Sequence, residues 1–128
     1  MDADRARVVV ALQSALMRSV GEFGDVPGFD AYRPRALATA AALDYVLMLA
    51  TGTTGVRIPE RDAERAIHDG IARAVDELIA VASAIARAGT PEGVAFAREA
   101  ATSLRDVLRT ESLQRDDRTF AVIALANA

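Results

Sequence analysis

Residues 60–88 read ERDAERAIHDGIARAVDELIAVASAIARA, and this stretch decides the fold class of the chain. Its apolar residues alternate spacings of four and three, which places them on one face of a helix. The seam consists of Ile67, Ile71, Ala74, Leu78, Val81 and Ile85, and it is widened by Val75 and Ala82. The pattern predicts one long helix over about 60–88 that packs against other helices.

Three further segments have apolar residues at helical spacing and are bounded by residues typical of helix starts and ends. They are predicted over about 4–22, 34–50 and 91–111, with Asp2 or Asp4 as the cap of the first. The prolines Pro34, Pro59 and Pro91 stand before apolar runs, as expected in the first turn of a helix. After a polar break at 114–117, the segment FAVIALANA (120–128) is either a short fifth helix on the bundle or a crossing to a neighbouring subunit.

The composition agrees with a helical core. The chain has 128 residues, of which 52% are hydrophobic and only 5% aromatic, so the core must be aliphatic. No alternating strand pattern is present. We therefore predict a single all-α domain over residues 1–128, an antiparallel four-helix bundle with the short fifth helix as an addition.

Charge and cysteine content exclude several function classes. Fifteen basic residues, all Arg, face 18 acidic ones, which argues against a nucleic-acid binder or a polybasic membrane contact. The absence of cysteine excludes disulfides and thiolate chemistry. The longest apolar stretch contains Asp44, so no membrane span is predicted. We expect a cytoplasmic protein, and the absence of Lys is typical of a GC-rich bacterial source.

Asp44 interrupts the most apolar of the predicted helices, between Leu43 and Tyr45. A buried carboxylate needs an ion-pair or hydrogen-bond partner, because an unpaired charge is costly inside a protein. One interpretation is a buried ion pair or an exposed polar stripe. The other is that Asp44 and Tyr45 form the polar anchor of an apolar ligand pocket.

The segment GEFGDVPGFDAYRP (21–34) concentrates aromatic residues between the first two helices. Such a loop either closes the end of a bundle or presents a partner-binding surface, and Tyr and Arg are favoured in such surfaces. The partner-binding hypothesis places Phe29, Tyr32 and Arg33 in contact with another protein.

His68 is the single histidine of the chain, and Glu64 precedes it by one helical turn. One His and one Glu supply too few ligands for a zinc site, so no metal and no cofactor are predicted. Arg61, then Asp62, and His68 six positions after Asp62 resemble the arginine–histidine pattern of the HEPN ribonuclease superfamily. The resemblance covers eight residues. It implies that Arg61 and His68 act on the scissile phosphate of RNA across a dimer contact.

The predicted second helix is apolar nearly all the way round, which favours a central position or a subunit contact. Together with FAVIALANA it offers more apolar surface than a lone bundle needs. We therefore predict a non-enzymatic helical module, a scaffold or regulatory accessory protein, that forms a homodimer and binds a partner protein. The alternatives are a bundle that senses small apolar ligands and the HEPN-like ribonuclease.

Overall fold

Five α-helices make up the fold of residues 3–128, the part of the chain that the computed structural model describes, and this part contains no strand. The helices are α1 Ala3–Phe23, α2 Arg33–Thr51, α3 Glu60–Arg87, α4 Pro91–Thr110 and α5 Asp116–Ala126, with a short 3-10 helix at Phe29–Ala31. The predicted all-α antiparallel bundle is confirmed, and α5 packs on its own chain.

Helix α3 is the centre of the bundle and contacts all four other helices. Every residue of its predicted seam is buried, and so are Val75 and Ala82. Helices α1 and α2 pack together on one side of α3, and α4 and α5 pack together on the other. Helices α1 and α4 both pack on α3 but hardly touch each other, which leaves a cleft between them.

Local sequence signals set most helix ends. The Thr90 hydroxyl accepts a hydrogen bond from the Gly93 amide at 3.0 Å, which satisfies one of the free N–H groups at the start of α4. Gly52 and Gly89 follow α2 and α3 with positive φ angles of 71° and 75°, which glycine adopts without the steric cost of a Cβ.

Two predicted helix starts need correction, and one cap lies outside the described residues. α5 begins at Asp116, so part of the predicted polar break is its first turn, where acidic side chains favour the helix dipole. Pro59 caps α3 from outside, with an extended ψ of 137°, and does not lie in its first turn. Asp2 lies outside the described residues, and Asp4 is in the first turn of α1.

Helix α5 is anchored to α3 by a bidentate ion pair as well as by apolar contacts. The Arg118 guanidinium donates to both carboxylate oxygens of Asp76, at 2.8 and 3.0 Å, and to the Leu113 carbonyl at 3.2 Å. Val122 and Leu125, the buried residues of α5, provide the apolar contacts with the bundle. The paired donors fix the angle at which α5 lies on the bundle.

No helix within residues 3–128 is long and apolar enough to cross a membrane.

Candidate functional site

The solvent-facing surface of α2 is apolar over almost its whole length. Leu37, Tyr45 and Met48 are 40%, 53% and 39% exposed, and the alanines between them at 38, 41 and 42 are exposed as well. From residue 36 to residue 56, Asp44 is the single charged side chain. A helix face exposed to water normally carries charged residues on its outer side, so this surface is unusual.

Helix α1 extends this surface. Val10 and Met17 are 45% and 48% exposed, and they lie on either side of Gln13, whose side chain forms hydrogen bonds with α2. The predicted seam of α1 runs through Val9 and Leu12, which are buried. Val10 and Met17 lie off that seam and outside the core. We call the surface formed by Val10, Gln13, Met17, Leu37, Ala41, Asp44, Tyr45 and Met48 the α1–α2 face.

A hydrogen-bonded pair occupies the middle of the α1–α2 face. The Gln13 side-chain amide donates to the Asp44 carboxylate and to the Ala40 carbonyl, each at 2.7 Å. Asp44 is exposed, in agreement with the predicted polar stripe. Asp44 and Tyr45 both lie on an open helix surface and belong to this face, and the ligand-pocket hypothesis for them stays a prediction.

The loop between α1 and α2 closes one end of the bundle. Phe29 is 1% exposed, and Phe23, also buried, packs against the Phe96 ring with centroids 5.1 Å apart. Tyr32 and Arg33 are half-buried, and Arg33 Nη2 donates to the Gly24 carbonyl at 2.6 Å. The burial of Phe29 means that it supports the loop from below, so a partner surface at this end would consist of Tyr32 and Arg33.

His68 lies in a polar cleft at the opposite end, where α1, α3 and α4 meet. The cleft is organised by Arg5, whose guanidinium donates to Glu64 and, at 2.9 Å, to Glu111. Desolvation alone would lower the pKa of Arg5, but its hydrogen bonds to Glu111 and Glu64 raise it above the ordinary value. Arg5 is therefore paired with two carboxylates, as in a structural ion-pair network.

Arg61 and His68 are separated by two turns of α3. Arg61 is exposed and does not line the cleft that contains His68. Within residues 3–128 no three His, Asp or Glu side chains are grouped to hold a metal ion. The ribonuclease hypothesis implied by the sequence resemblance stays a prediction.

The chain matches no protein family, no curated protein and no solved structure with which it was compared. Its function is therefore inferred from the side chains described above.

Proposed function

We propose that the protein is a non-enzymatic helical module that forms a homodimer through the α1–α2 face. The observation that supports this proposal is the nearly uncharged outer surface of α2, continued by Val10 and Met17 of α1. An exposed apolar surface of this kind is typical of an interaction site, because covering it removes apolar area from water.

The arrangement of side chains on the face suits a two-fold axis. Val10 and Met48 lie toward one end of the Gln13–Asp44 pair, because α1 and α2 are antiparallel. Met17 and Leu37 lie toward the other end. In a dimer whose two-fold axis runs across the helices, each apolar end of one copy packs on the opposite end of its partner, and the interface is isologous.

The charge distribution favours a second copy of the chain over an unrelated protein at this face. A strongly charged patch facing its own copy is repelled, whereas an uncharged patch is complementary to itself. The α1–α2 face carries one charge, Asp44, and its hydrogen bond to Gln13 holds it in place. No basic or acidic cluster is present there to select a partner of opposite charge.

The size of the face indicates a reversible dimer. Helix α2 has 19 residues, so it is about 28 Å long, and neighbouring helices lie roughly 8–10 Å apart. Two such helices offer on the order of 500 Å², somewhat less than the roughly 800 Å² that each partner buries in a standard interface. We therefore expect a micromolar dissociation constant.

A partner protein would then bind away from the dimer contact. Tyr32 and Arg33 lie at the end of the bundle that the loop closes, with Phe29 beneath them. Tyr32 is also contacted by Arg35, whose guanidinium lies 5.5 Å from the ring centroid. This end of the molecule is the proposed partner-binding surface of the scaffold or accessory protein.

Sedimentation velocity over a range of protein concentrations tests the homodimer. We expect the mass to rise from 13.5 kDa toward twice that value in the wild type. Met48→Glu should weaken the dimer by about 30-fold, since burying an unpaired charge costs about 2 kcal/mol or more. The matched control is Ile123→Glu on α5, an apolar side chain of similar size that is 49% exposed outside the face.

Both substitutions are at exposed positions, so the monomer should fold in each case. A wild type that stays monomeric at high micromolar concentration contradicts the proposal. Equal weakening by Met48→Glu and Ile123→Glu also contradicts it, because the α1–α2 face would then not be the contact.

A further inference from the structure

The cleft between α1 and α4 is a separate feature of the molecule, on the other side of α1 from the α1–α2 face. Its volume is about 220 Å³. The apolar floor is formed by Leu12, Leu78 and Phe96, each no more than 2% exposed. The walls are small residues from both helices, namely Ala11, Ser14, Ala15, Ala100 and Ser103.

The cleft exists because the two helices face each other with side chains too short to fill the gap. The positions of the same helices that point toward α3 carry large residues, such as Leu16 and Leu104, and these are fully buried. Thus the core beneath the cleft is tightly packed while the cleft above it stays open. An apolar group that enters the cleft contacts an already ordered floor.

Arg18 closes one end of the cleft and provides hydrogen-bond donors there. Its guanidinium lies 5.3 Å from the Phe96 ring centroid. Arg18 Nε donates to Glu22 at 3.0 Å and Nη1 donates to Glu99 at 2.6 Å. The Nη2 group is the donor that neither carboxylate uses, and the hydroxyls of Ser14 and Ser103 line the same cleft.

We infer that this cleft binds a small neutral amphipathic molecule, with its apolar body on Phe96 and Leu78 and an oxygen acceptor toward Arg18. The volume admits on the order of seven non-hydrogen atoms, at about 30 Å³ for each group of the size of a water molecule. A carboxylate head would be repelled by Glu22 and Glu99, and an ammonium head would have to compete with Arg18 for the same two carboxylates. This site is independent of the proposed homodimer.

The test uses 1-hexanol as the probe and two compounds with the same chain, hexanoate and hexylammonium, as comparisons. Binding is followed by amide chemical shifts of the full-length protein. We expect saturable shifts confined to residues around Phe96 and Ala15. The two charged compounds should bind at least about tenfold more weakly, because the charges at the mouth are already paired with one another and neither compound finds a free counter-charge there.

Ala11→Leu and Ala15→Leu place a larger side chain in the cleft from the α1 wall and should abolish the hexanol shifts. The two variants fill the cleft from positions one helical turn apart, and Ala95→Leu on the exposed side of α4 is the control that keeps binding. Absence of saturable shifts, or binding retained in both α1 variants, overturns the inference. Equal binding of all three compounds overturns the assignment of a neutral ligand, and shifts centred on Met48 would place the site elsewhere.

Discussion

At the scale of single residues, Ser112 is the most unusual backbone position of the described chain. It has a positive φ of 54° at the end of α4. Its amide donates to the Arg109 carbonyl at 3.4 Å, and the Leu113 amide donates to the Leu108 carbonyl at 2.9 Å. These paired bonds define a Schellman motif, in which the left-handed position is usually glycine.

Replacing Ser112 with glycine should stabilise the protein. We expect Ser112→Gly to raise the free energy of unfolding by about 0.5–1 kcal/mol, because it removes the steric cost of a left-handed residue with a Cβ. Chemical denaturation measures the change. Gly89→Ala, at a φ of 75° after α3, is the reverse substitution and should lower stability. A loss of stability in Ser112→Gly would contradict this reasoning.

The first turn of α5 contains a carboxyl group whose pKa is strongly shifted. Arg115 Nε and Nη2 donate to the two carboxylate oxygens of Asp117, at 2.6 and 2.8 Å. These bonds lower the pKa of Asp117 from 3.8 to about 2, and the Arg118 backbone amide adds to the effect. The charged form of Asp117 is therefore the one that the folded helix favours.

A carboxyl group with a lowered pKa stabilises the fold above its ordinary pKa and loses that contribution as the pH falls toward the folded value. We expect the start of α5 to loosen as the pH falls from 3.8 to about 2. A carboxyl-carbon NMR titration measures the pKa directly. The pKa of Asp117 should return toward its ordinary value in Arg115→Ala. It should stay low in Arg65→Ala, a control at an exposed arginine of α3. An unchanged pKa in Arg115→Ala would rule out the assigned cause.

At the scale of helices, α2 and α3 come especially close together at one glycine. A Cβ built on Gly70 would lie 2.5 Å from Val46 Cγ2, which is closer than real side chains approach. The two helices therefore approach closely at this point. Gly21, which is also helical, has no atom within 4 Å of the same built position.

The two glycines should respond in opposite directions to the same substitution. Gly70→Ala should lower the free energy of unfolding by about 1–3 kcal/mol, because the clash with Val46 forces the helices apart. Gly21→Ala should raise it by up to about 1 kcal/mol, since alanine is the better helix former. Thermal and chemical denaturation measure both.

A second substitution separates the clash from other causes of instability at Gly70. Val46→Ala makes room for the added methyl group. The Gly70→Ala, Val46→Ala double variant should therefore lose less free energy of unfolding than the two single variants lose together. Simple additivity would show that the close approach is not the reason.

At the scale of the whole molecule, the distribution of charge separates the α1–α2 face from the rest of the surface. The outer side of α4 carries Glu99, Arg105 and Asp106, all exposed, as expected for a helix in contact with water. From residue 36 onward, the outer side of α2 carries Asp44 as its single charge. In the proposed dimer, the Asp44 side chains of the two copies approach each other near the two-fold axis, where like charges oppose association.

We therefore expect Asp44→Asn to strengthen the dimer. Asparagine keeps an oxygen that accepts from Gln13 but removes the repulsion, which should lower the dissociation constant by about five- to tenfold. Asp62→Asn, at an exposed position near the start of α3, is the control. Sedimentation velocity measures both, and a weaker dimer in Asp44→Asn would mean that the carboxylate pairs with a donor of the second copy.

The fold was largely predictable because its signals are local. The seam of α3, the Thr90 cap and the glycines after α2 and α3 each act within a few residues, so the sequence shows them directly. The start of α5 was misplaced because Asp116 and Asp117 resemble a polar break, although acidic residues favour the first turn of a helix. The turn at Ser112 gave no signal, because serine replaces the usual glycine.

The candidate sites were less predictable, because they depend on which faces of different helices become neighbours. The apolar character of α2 was visible in the sequence, but whether Asp44 is buried or exposed was not. Val10 and Met17 gave only a weak signal, as apolar residues off the seam of α1. The α1–α4 cleft arises from small residues far apart in sequence, whose spacing shows nothing until both helices pack on α3.

By itself, then, the sequence determined the helices, their approximate ends and the aliphatic core, since hydrophobic periodicity and capping are properties of contiguous residues. Only the tertiary structure decided which apolar residues stay outside that core. Leu43 and Met48 lie on the same helix, yet Leu43 is 1% exposed and Met48 is 39% exposed. Burial is set by the neighbouring helix, and residues in one segment of sequence do not specify what the neighbour will cover.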